Sequence, residues 1–311
     1  MKAFIDIDLS AAELWATAAY AGDKGLQEVL ESGEDPHVDM AHRMFGISKE
    51  NLIDEDKTLG KDNSPTDIRN YRSFVNPSYL EGVATPPVAT VTGRQLGKAV
   101  NYGLSYRMRE QTFSITSGIA LADCKVLIKL HEKACPKKVD WWKSLNKELQ
   151  TQERLLFNCF GRGVRLLDSW SPRLLNQATA FKPQSTIADL VRAAMSNLWC
   201  WSMDQPVDKR PGHLVAQVHD SLTYLLKVGT EDEQWRAAQF IAGAAGPGGL
   251  GMPLKIEAWD GSIWEFSIPL DAKLGTRNMG EMTHLGLSTD PEEQFSFLQA
   301  AINVDKAGYS T

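Results

Sequence analysis

The stretch KAFIDIDL at Lys2–Leu9 alternates with period two, so that Phe4, Asp6 and Asp8 fall on one side of an extended strand and Ile5, Ile7 and Leu9 on the other. Two carboxylates thus point the same way from a strand whose other side is apolar. Ser10 follows as an N-cap, with Glu13 three residues on completing a capping box, and the helix it opens runs through AAELWATAAYAG to a stop at Gly22. Asp8 therefore stands at a strand-to-helix exit. A second aspartate has a different setting: HLVAQVHDSLTYLL reads as two apolar strand segments that meet at His219 and Asp220, a hairpin bend.

The segment GRQLGKAVNYGLSY, Gly93 to Tyr106, is helical in pattern. At about 100° per residue, Arg94, Lys98, Asn101, Tyr102 and Ser105 share roughly a quarter of the circumference, with Leu96, Val100 and Leu104 opposite. A solvated surface helix with a packed back is the plain account of such a stripe. Gly103 beside Tyr102 suits close approach by a flat or bulky ligand instead.

Charge is distributed unevenly along the chain. The net formal charge is −6, yet residues 92–173 hold fifteen Lys and Arg against seven Asp and Glu, a basic middle flanked by acidic ends. Lysines at spacing four, Lys125, Lys129 and Lys133, are ordinary surface patterning. The functional alternative is an electrostatic footprint for phosphates beside a carboxylate-bearing site for divalent cations. Four cysteines, Cys124, Cys135, Cys159 and Cys200, are widely spaced with no CxxC pair, so neither a zinc site nor a disulfide framework is indicated. The 311 residues, 43% hydrophobic, suffice for one large domain or two modest ones. No apolar run is long enough to span a bilayer, and MKAFIDIDLS lacks the flank of a signal peptide, so the expectation is a cytoplasmic protein with no membrane partner.

Between these landmarks, LQEVLES and VDMAHRMFG read as helices, and from Ser48 to about Thr92 the pattern fades into a long loop or partly ordered insertion. Helices resume at Arg94 and run, with breaks at Gly118 and Pro136, to about Phe157. CFGRGVRLLDSW reads as a short hairpin, QSTIADLVRAAMSNLWCW and TEDEQWRAAQFIAGAAG as helices, PLKIEAWDGSIWEF as a strand pair, and the last forty or so residues as an extended tail. There is no internal repeat or low-complexity segment.

Two strand-borne aspartates and a cationic helix face are the parts of a two-metal phosphoryl-transfer site. Three ordered motifs give the chain a resemblance to the family A DNA polymerases: DLSAAEL at Asp8–Leu14 is similar to the first palm motif, GRQLGKAVNYGLSY to the nucleotide-binding fingers helix, and QVHDSL at Gln217–Leu222 to the second palm motif. EDPHVDMAHRMFG, KPQSTIADLVRAAM and MPLKIEAWDGSIW add weaker support, so that roughly residues 1–268 are covered in order.

The resemblance implies an α+β fold, a palm with an antiparallel sheet and a mostly helical fingers domain. Its divisions are palm over 1–47, an insertion or linker over 48–92, fingers over 93–157, palm again over 158–270 and a C-terminal tail over 271–311. The chain begins a few residues before the first palm motif, so the thumb and exonuclease domains of the family are expected to be absent, and a separate thumb- or exonuclease-bearing subunit is the implied partner, as in split phage enzymes. The host cytoplasm is then the expected location.

By the same resemblance, Asp8 and Asp220 ligate two Mg²⁺ ions, for which Mn²⁺ can substitute, with the backbone carbonyl of Leu9 as a further ligand. Arg94 and Lys98 bind the phosphates of the incoming deoxynucleoside triphosphate, and Lys98 protonates the leaving pyrophosphate. Tyr102 lies against sugar and base, and its tyrosine form resembles enzymes that accept dideoxynucleotides readily. Glu13 closes the space of a ribose 2′-hydroxyl. Tyr106, Gln184 and His219 line the region of the primer-template DNA.

The chain departs from the family pattern at Ser221, where glutamate is usual, at Arg107, where glycine is usual, and at Ala180, where asparagine is common. The alternatives are a single-subunit RNA polymerase relative, against which Glu13 argues, and a catalytically inactive polymerase-like binding subunit, against which the retention of Asp8, Asp220, Arg94 and Lys98 argues.

Overall fold

The computed structural model of the protein describes residues 1–59, 92–117 and 121–307. In chain order the elements begin with β1 (Lys2–Leu9), α1 (Ala12–Ala21), α2 (Lys24–Glu31), α3 (Pro36–Phe45) and α4 (Lys49–Leu59). There follow α5 (Gly93–Ser105), α6 (Glu110–Ser117), α7 (Leu121–Ala134), α8 (Pro136–Thr151), β2 (Leu155–Phe157), β3 (Gly163–Arg165) and α9 (Pro172–Met203). The chain continues through β4 (Gly212–Val218), β5 (Ser221–Lys227), α10 (Glu231–Ala245), β6 (Leu254–Glu257), β7 (Ile263–Phe266), β8 (Leu270–Gly275), β9 (Thr283–His284) and α11 (Pro291–Ala307). These divide into two compact units, one of Met1–Glu13, Gln184–Lys255 and Trp264–Thr311, the other of Leu14–Pro183 and Ile256–Ile263.

The first unit is built on a five-stranded sheet of order β4-β5-β1-β8-β9 whose neighbours are all antiparallel. β1 lies at its centre, with Ile5 opposite Tyr224 on one side and Leu274 on the other. Because side chains alternate, one face collects Ala3, Ile5, Ile7, Leu9, Leu222, Tyr224, Leu226, Ala272 and Leu274, all buried. Phe240 of α10 meets Tyr224 edge-on with ring centroids 4.7 Å apart, and α11 packs on α10 through the Trp235–Phe295 pair. Each fully buried Ile or Leu contributes about 1.5–3 kcal/mol, which anchors the register of β1. The other face carries Asp6, Asp8, Ser221, Thr223, Asp271 and Lys273, the polar set that the packing of the first face forces outward.

The second unit is mostly helical, with the β2-β3 pair beside its helices in sequence. α3 packs along α5 over a core that includes Val38, Met44, Phe45, Leu52, Leu96, Val100, Leu104 and Phe113. Thr92 caps α5 in a reciprocal capping box with Gln95, and Gly46 ends α3 in the left-handed region with φ 70. The approach of the two helices is so close at Gly97 that a Cβ there would stand 2.0 Å from the carbonyl oxygen of His37. Asn101 reinforces the contact by donating from Nδ2 to the carbonyl of Pro36 at 2.9 Å.

Several expectations change. Ser10 is not the cap residue of α1: the helix starts at Ala12, Ala11 has φ 54, and the Ser10 hydroxyl donates to Asp271 Oδ2 at 3.1 Å. The stretch 48–92 opens with a helix, α4, whose Leu52 is buried, while the rest of it, from 60 to 91, lies outside the described residues. The segment 271–311 is no simple tail, because it supplies most of β8, which pairs with β1, then β9 and α11. α9 is a single helix of 32 residues that contains Pro183, where a break would be expected from the missing N–H.

Candidate active site

The polar face of the sheet gathers carboxylates at one end of β1. Asp8 lies directly opposite Ser221 of β5 and Asp271 of β8, and opposite residues on antiparallel strands present their side chains to the same face. Asp220 precedes Ser221 in the two-residue turn that joins β4 to β5, where His219 adopts the left-handed φ of 53 that tight hairpins require. Gln217 Nε2 donates to the His219 carbonyl at 2.6 Å and braces that turn. The crowding has an electrostatic signature: the Asp8 carboxyl is pushed up to about 6, by burial first and then by the charges of Asp220, Asp6 and Asp271, with Lys273 pulling the other way. Asp6 is tied down separately, accepting from the Thr223 hydroxyl at 2.6 Å.

A divalent cation fits this donor set, since carboxylate oxygens are hard ligands and a positive charge relieves the repulsion that raises Asp8. Among the described residues, however, no three His, Cys, Asp or Glu side chains are gathered closely enough to hold an ion by themselves. Leu9 ends β1 next to Asp8, and Glu13 lies in the first turn of α1. Exposed Gln184 follows Pro183 in α9. These residues and His219 all belong to the first unit.

Arg94, Lys98, Tyr102 and Tyr106 belong to the second unit, three of them on α5 and Tyr106 at its C-cap. Lys98 is exposed and Tyr102 is 39% exposed. Arg94 is engaged: its Nε donates to Asp35 Oδ2 at 2.5 Å, and Nη1 stands 3.7 Å from Asp56 Oδ2. The polar stripe is narrower than the helical wheel suggests. Asn101 is buried against α3, and Ser105 is buried and accepts from Lys138 Nζ at 3.1 Å. Gly103 does not face a ligand either: it is buried, and a Cβ there would lie 3.1 Å from the Phe113 ring. Arg107 has φ 58, in the left-handed region that glycine adopts without strain.

His37 is a residue that pattern reading missed. Located next to the α3 N-cap, it lies 3.2 Å from Asn101 Nδ2 through Nδ1 and 5.5 Å from Tyr102 between ring centroids. Burial lowers its pKa to about 4; Asp35 opposes this, and Arg94 and Lys98 add to it. The signal in the sequence was the Asp35-Pro36 helix start, which fixes where the histidine emerges.

Comparison with known proteins places the chain among polymerases. Residues 80–265 match the model of DNA polymerase family A, a range that contains α5 and Asp220 but neither Asp8 nor Asp271. The thermostable DNA polymerase I of Thermus filiformis is 26% identical over 264 residues, 83% of this chain and 26% of that protein. The Thermus aquaticus enzyme is 24% identical over 84% of this chain and 27% of its own length, and DNA polymerase I of Pseudomonas aeruginosa is 24% identical over 67% and 23%. The chain thus spans about a quarter of the length of these relatives. In fold it resembles the POL domain of Pol1 from M. smegmatis, solved in complex with DNA primer-template and dNTP, with a TM-score of 0.59 and 20% identity over 88% of this chain and 39% of that one. With a family model covering more than half of its residues, the chain belongs to DNA polymerase family A.

Proposed function

We propose that the chain is the palm and fingers portion of a template-directed DNA polymerase, which adds deoxynucleoside triphosphates to a primer 3′ end by two-metal phosphoryl transfer. The observation that carries this reading is the juxtaposition of Asp8 with the Asp220 turn on one polar sheet face, in a chain of family A. Asp8, Asp220 and the Leu9 carbonyl would hold two Mg²⁺ ions, which supply charge neutralisation at the attacking and leaving oxygens when bound. Arg94 and Lys98 neutralise the triphosphate, and Lys98 delivers a proton to the departing pyrophosphate. For Arg94 this means exchanging the Asp35 carboxylate for a phosphate, both anions whose oxygens a guanidinium can bind in pairs. Tyr102 backs the sugar and base, Glu13 excludes a 2′-hydroxyl, and Tyr106, Gln184 and His219 contact the template and primer terminus. The reading includes a separate thumb- or exonuclease-bearing subunit as partner, with a phage source and host cytoplasm as the setting.

Primer extension by the purified chain, with and without a thumb-bearing subunit, tests the reading. Template-directed incorporation in Mg²⁺ that disappears in Asp8→Asn and in Asp220→Asn, both still folded, is the expected result. Each loss should exceed about 10²-fold, the scale for removing a preorganised charge from a transition state. Incorporation that persists in either variant removes the metal assignment, and preference for ribonucleotides moves the chain to the RNA polymerases.

A further inference from the structure

Two residues lie directly opposite Asp8, one on each neighbouring strand, and they differ in charge: Ser221 on β5 is neutral, whereas Asp271 on β8 is a carboxylate. Asp271 is exposed on the polar face, and its Oδ2 accepts from Ser10 Oγ at 3.1 Å. A backbone bond from Ser10 N to the Pro269 carbonyl, 2.8 Å, pins the start of β8 to the turn that follows Asp8. The other carboxylate on this face, Asp6, accepts from the Thr223 hydroxyl and has Lys273 directly across from it in register. Asp271 also lies beyond the residues that the family model matches, on a strand contributed by the C-terminal segment.

We propose that Asp271 is a third acidic residue of the metal site, acting on the water ligands of an ion held by Asp8 and Asp220. The inference rests on the metal-site reading above. Mg²⁺ keeps several of its waters and is typically held by one or two carboxylates, so a further carboxylate one strand away bonds to those waters and adds its charge without entering the coordination sphere. Asp271 is therefore a positioning residue, with Ser10 fixing which of its oxygens remains available.

Titration of the full chain with Mn²⁺ in the absence of nucleotide, following free Mn²⁺ by electron paramagnetic resonance, reads this directly. Asp271→Asn should weaken Mn²⁺ binding about tenfold, the lower end of what losing such an outer partner costs. Asp271→Glu, which keeps the charge, should stay within about threefold of the wild type. Adding Ser221→Glu to Asp271→Asn places a carboxylate opposite Asp8 from the other strand, and should recover most of the affinity. Asp271→Ser serves as a second neutral variant if the asparagine form does not fold. Neutral variants that titrate like the wild type, while Asp8→Asn loses binding, overturn the role of Asp271 alone. A wild type that binds no Mn²⁺, or an Asp8→Asn variant that binds it normally, overturns the metal-site reading and the inference with it.

Discussion

Asp35 holds Arg94: the guanidinium Nε donates to Oδ2 at 2.5 Å, while the other oxygen of the same carboxylate caps α3 by accepting from the N–H groups of His37 and Val38. Burial alone would raise the Asp35 carboxyl, but Arg94 and the His37 N–H hold it below the usual range. One aspartate thus sets the start of α3 and occupies the arginine that the proposed reaction assigns to phosphate.

Asp35→Asn separates these two jobs. Asparagine caps helices as well as aspartate does, so α3 should survive, while the charge that competes with phosphate disappears. Both partners are part-exposed, so the pair is worth no more than about 1 kcal/mol. The KM for deoxynucleotide should fall by roughly two- to fivefold at an unchanged melting temperature. A raised KM would show instead that Asp35 positions Arg94 for its substrate.

The pH dependence of stability follows from Asp8. Its folded-state carboxyl titrates at about 6, above the ordinary 3.8, so the group favours the folded state fully below 3.8 and that contribution is lost as pH rises through 6. In chelator at pH 8, Asp8→Asn should therefore melt at a higher temperature than the wild type, and the gap should close as pH falls towards 4. Mg²⁺ should raise the melting temperature of the wild type and leave that of the variant unmoved. A variant that melts lower than the wild type at pH 8 contradicts the crowding of charge around Asp8.

Tyr102 governs sugar selection in this reading. A normal substrate's 3′-hydroxyl can bond back to its own phosphates, and in a dideoxynucleotide that acceptor loses its donor unless a tyrosine hydroxyl replaces it. A charge-assisted hydrogen bond is worth about 1.5–3 kcal/mol, or roughly ten- to a hundredfold in incorporation. Tyr102→Phe should raise discrimination against dideoxynucleotides at least tenfold with normal incorporation nearly unchanged. Glu13→Ala should relax exclusion of ribonucleotides without that effect. Competition between deoxy and dideoxy substrates measures both, and no change in Tyr102→Phe would mean that Tyr102 does not face the sugar.

What could be read from the sequence had short-range causes. The alternation in β1 and the His219–Asp220 turn both showed in local pattern, because period two and hairpin chemistry act over a few residues. β8 carries the same alternation, with Ala272 and Leu274 buried and Asp271 and Lys273 outward, but six residues beyond the last motif did not stand out. α4 is hidden by its charges, since among its described residues Leu52 alone joins the hydrophobic core. The positions of Asp35 and His37 beside α5 depend on contact between segments about sixty residues apart, which no local pattern encodes. Asn101, Ser105 and Gly103 were misread for the same reason: a helical wheel shows which residues share a face, not which part of that face a second helix covers.

Gly97 and Gly103 lie on one helix and should respond to alanine in different ways. In an isolated helix each substitution would gain up to about 1 kcal/mol from propensity. At Gly97 the new Cβ would stand 2.0 Å from the His37 carbonyl oxygen, a backbone atom that cannot rotate aside, so α5 must move away from α3. That movement breaks the Asn101–Pro36 hydrogen bond and opens the packing of Leu96 and Val100, a loss that should exceed about 3 kcal/mol. At Gly103 the nearest atom is a ring carbon of Phe113 at 3.1 Å, on a side chain that can shift by a few tenths of an ångström, so propensity and strain should nearly cancel. Gly243, inside α10 with nothing within 4 Å, supplies the control: Gly243→Ala should be neutral or stabilising by up to about 1 kcal/mol. Urea unfolding of the three variants orders them. Should Gly97→Ala prove no worse than Gly103→Ala, the close crossing of α3 and α5 is wrong, and with it the placement of Asp35 and His37 beside the cationic stripe.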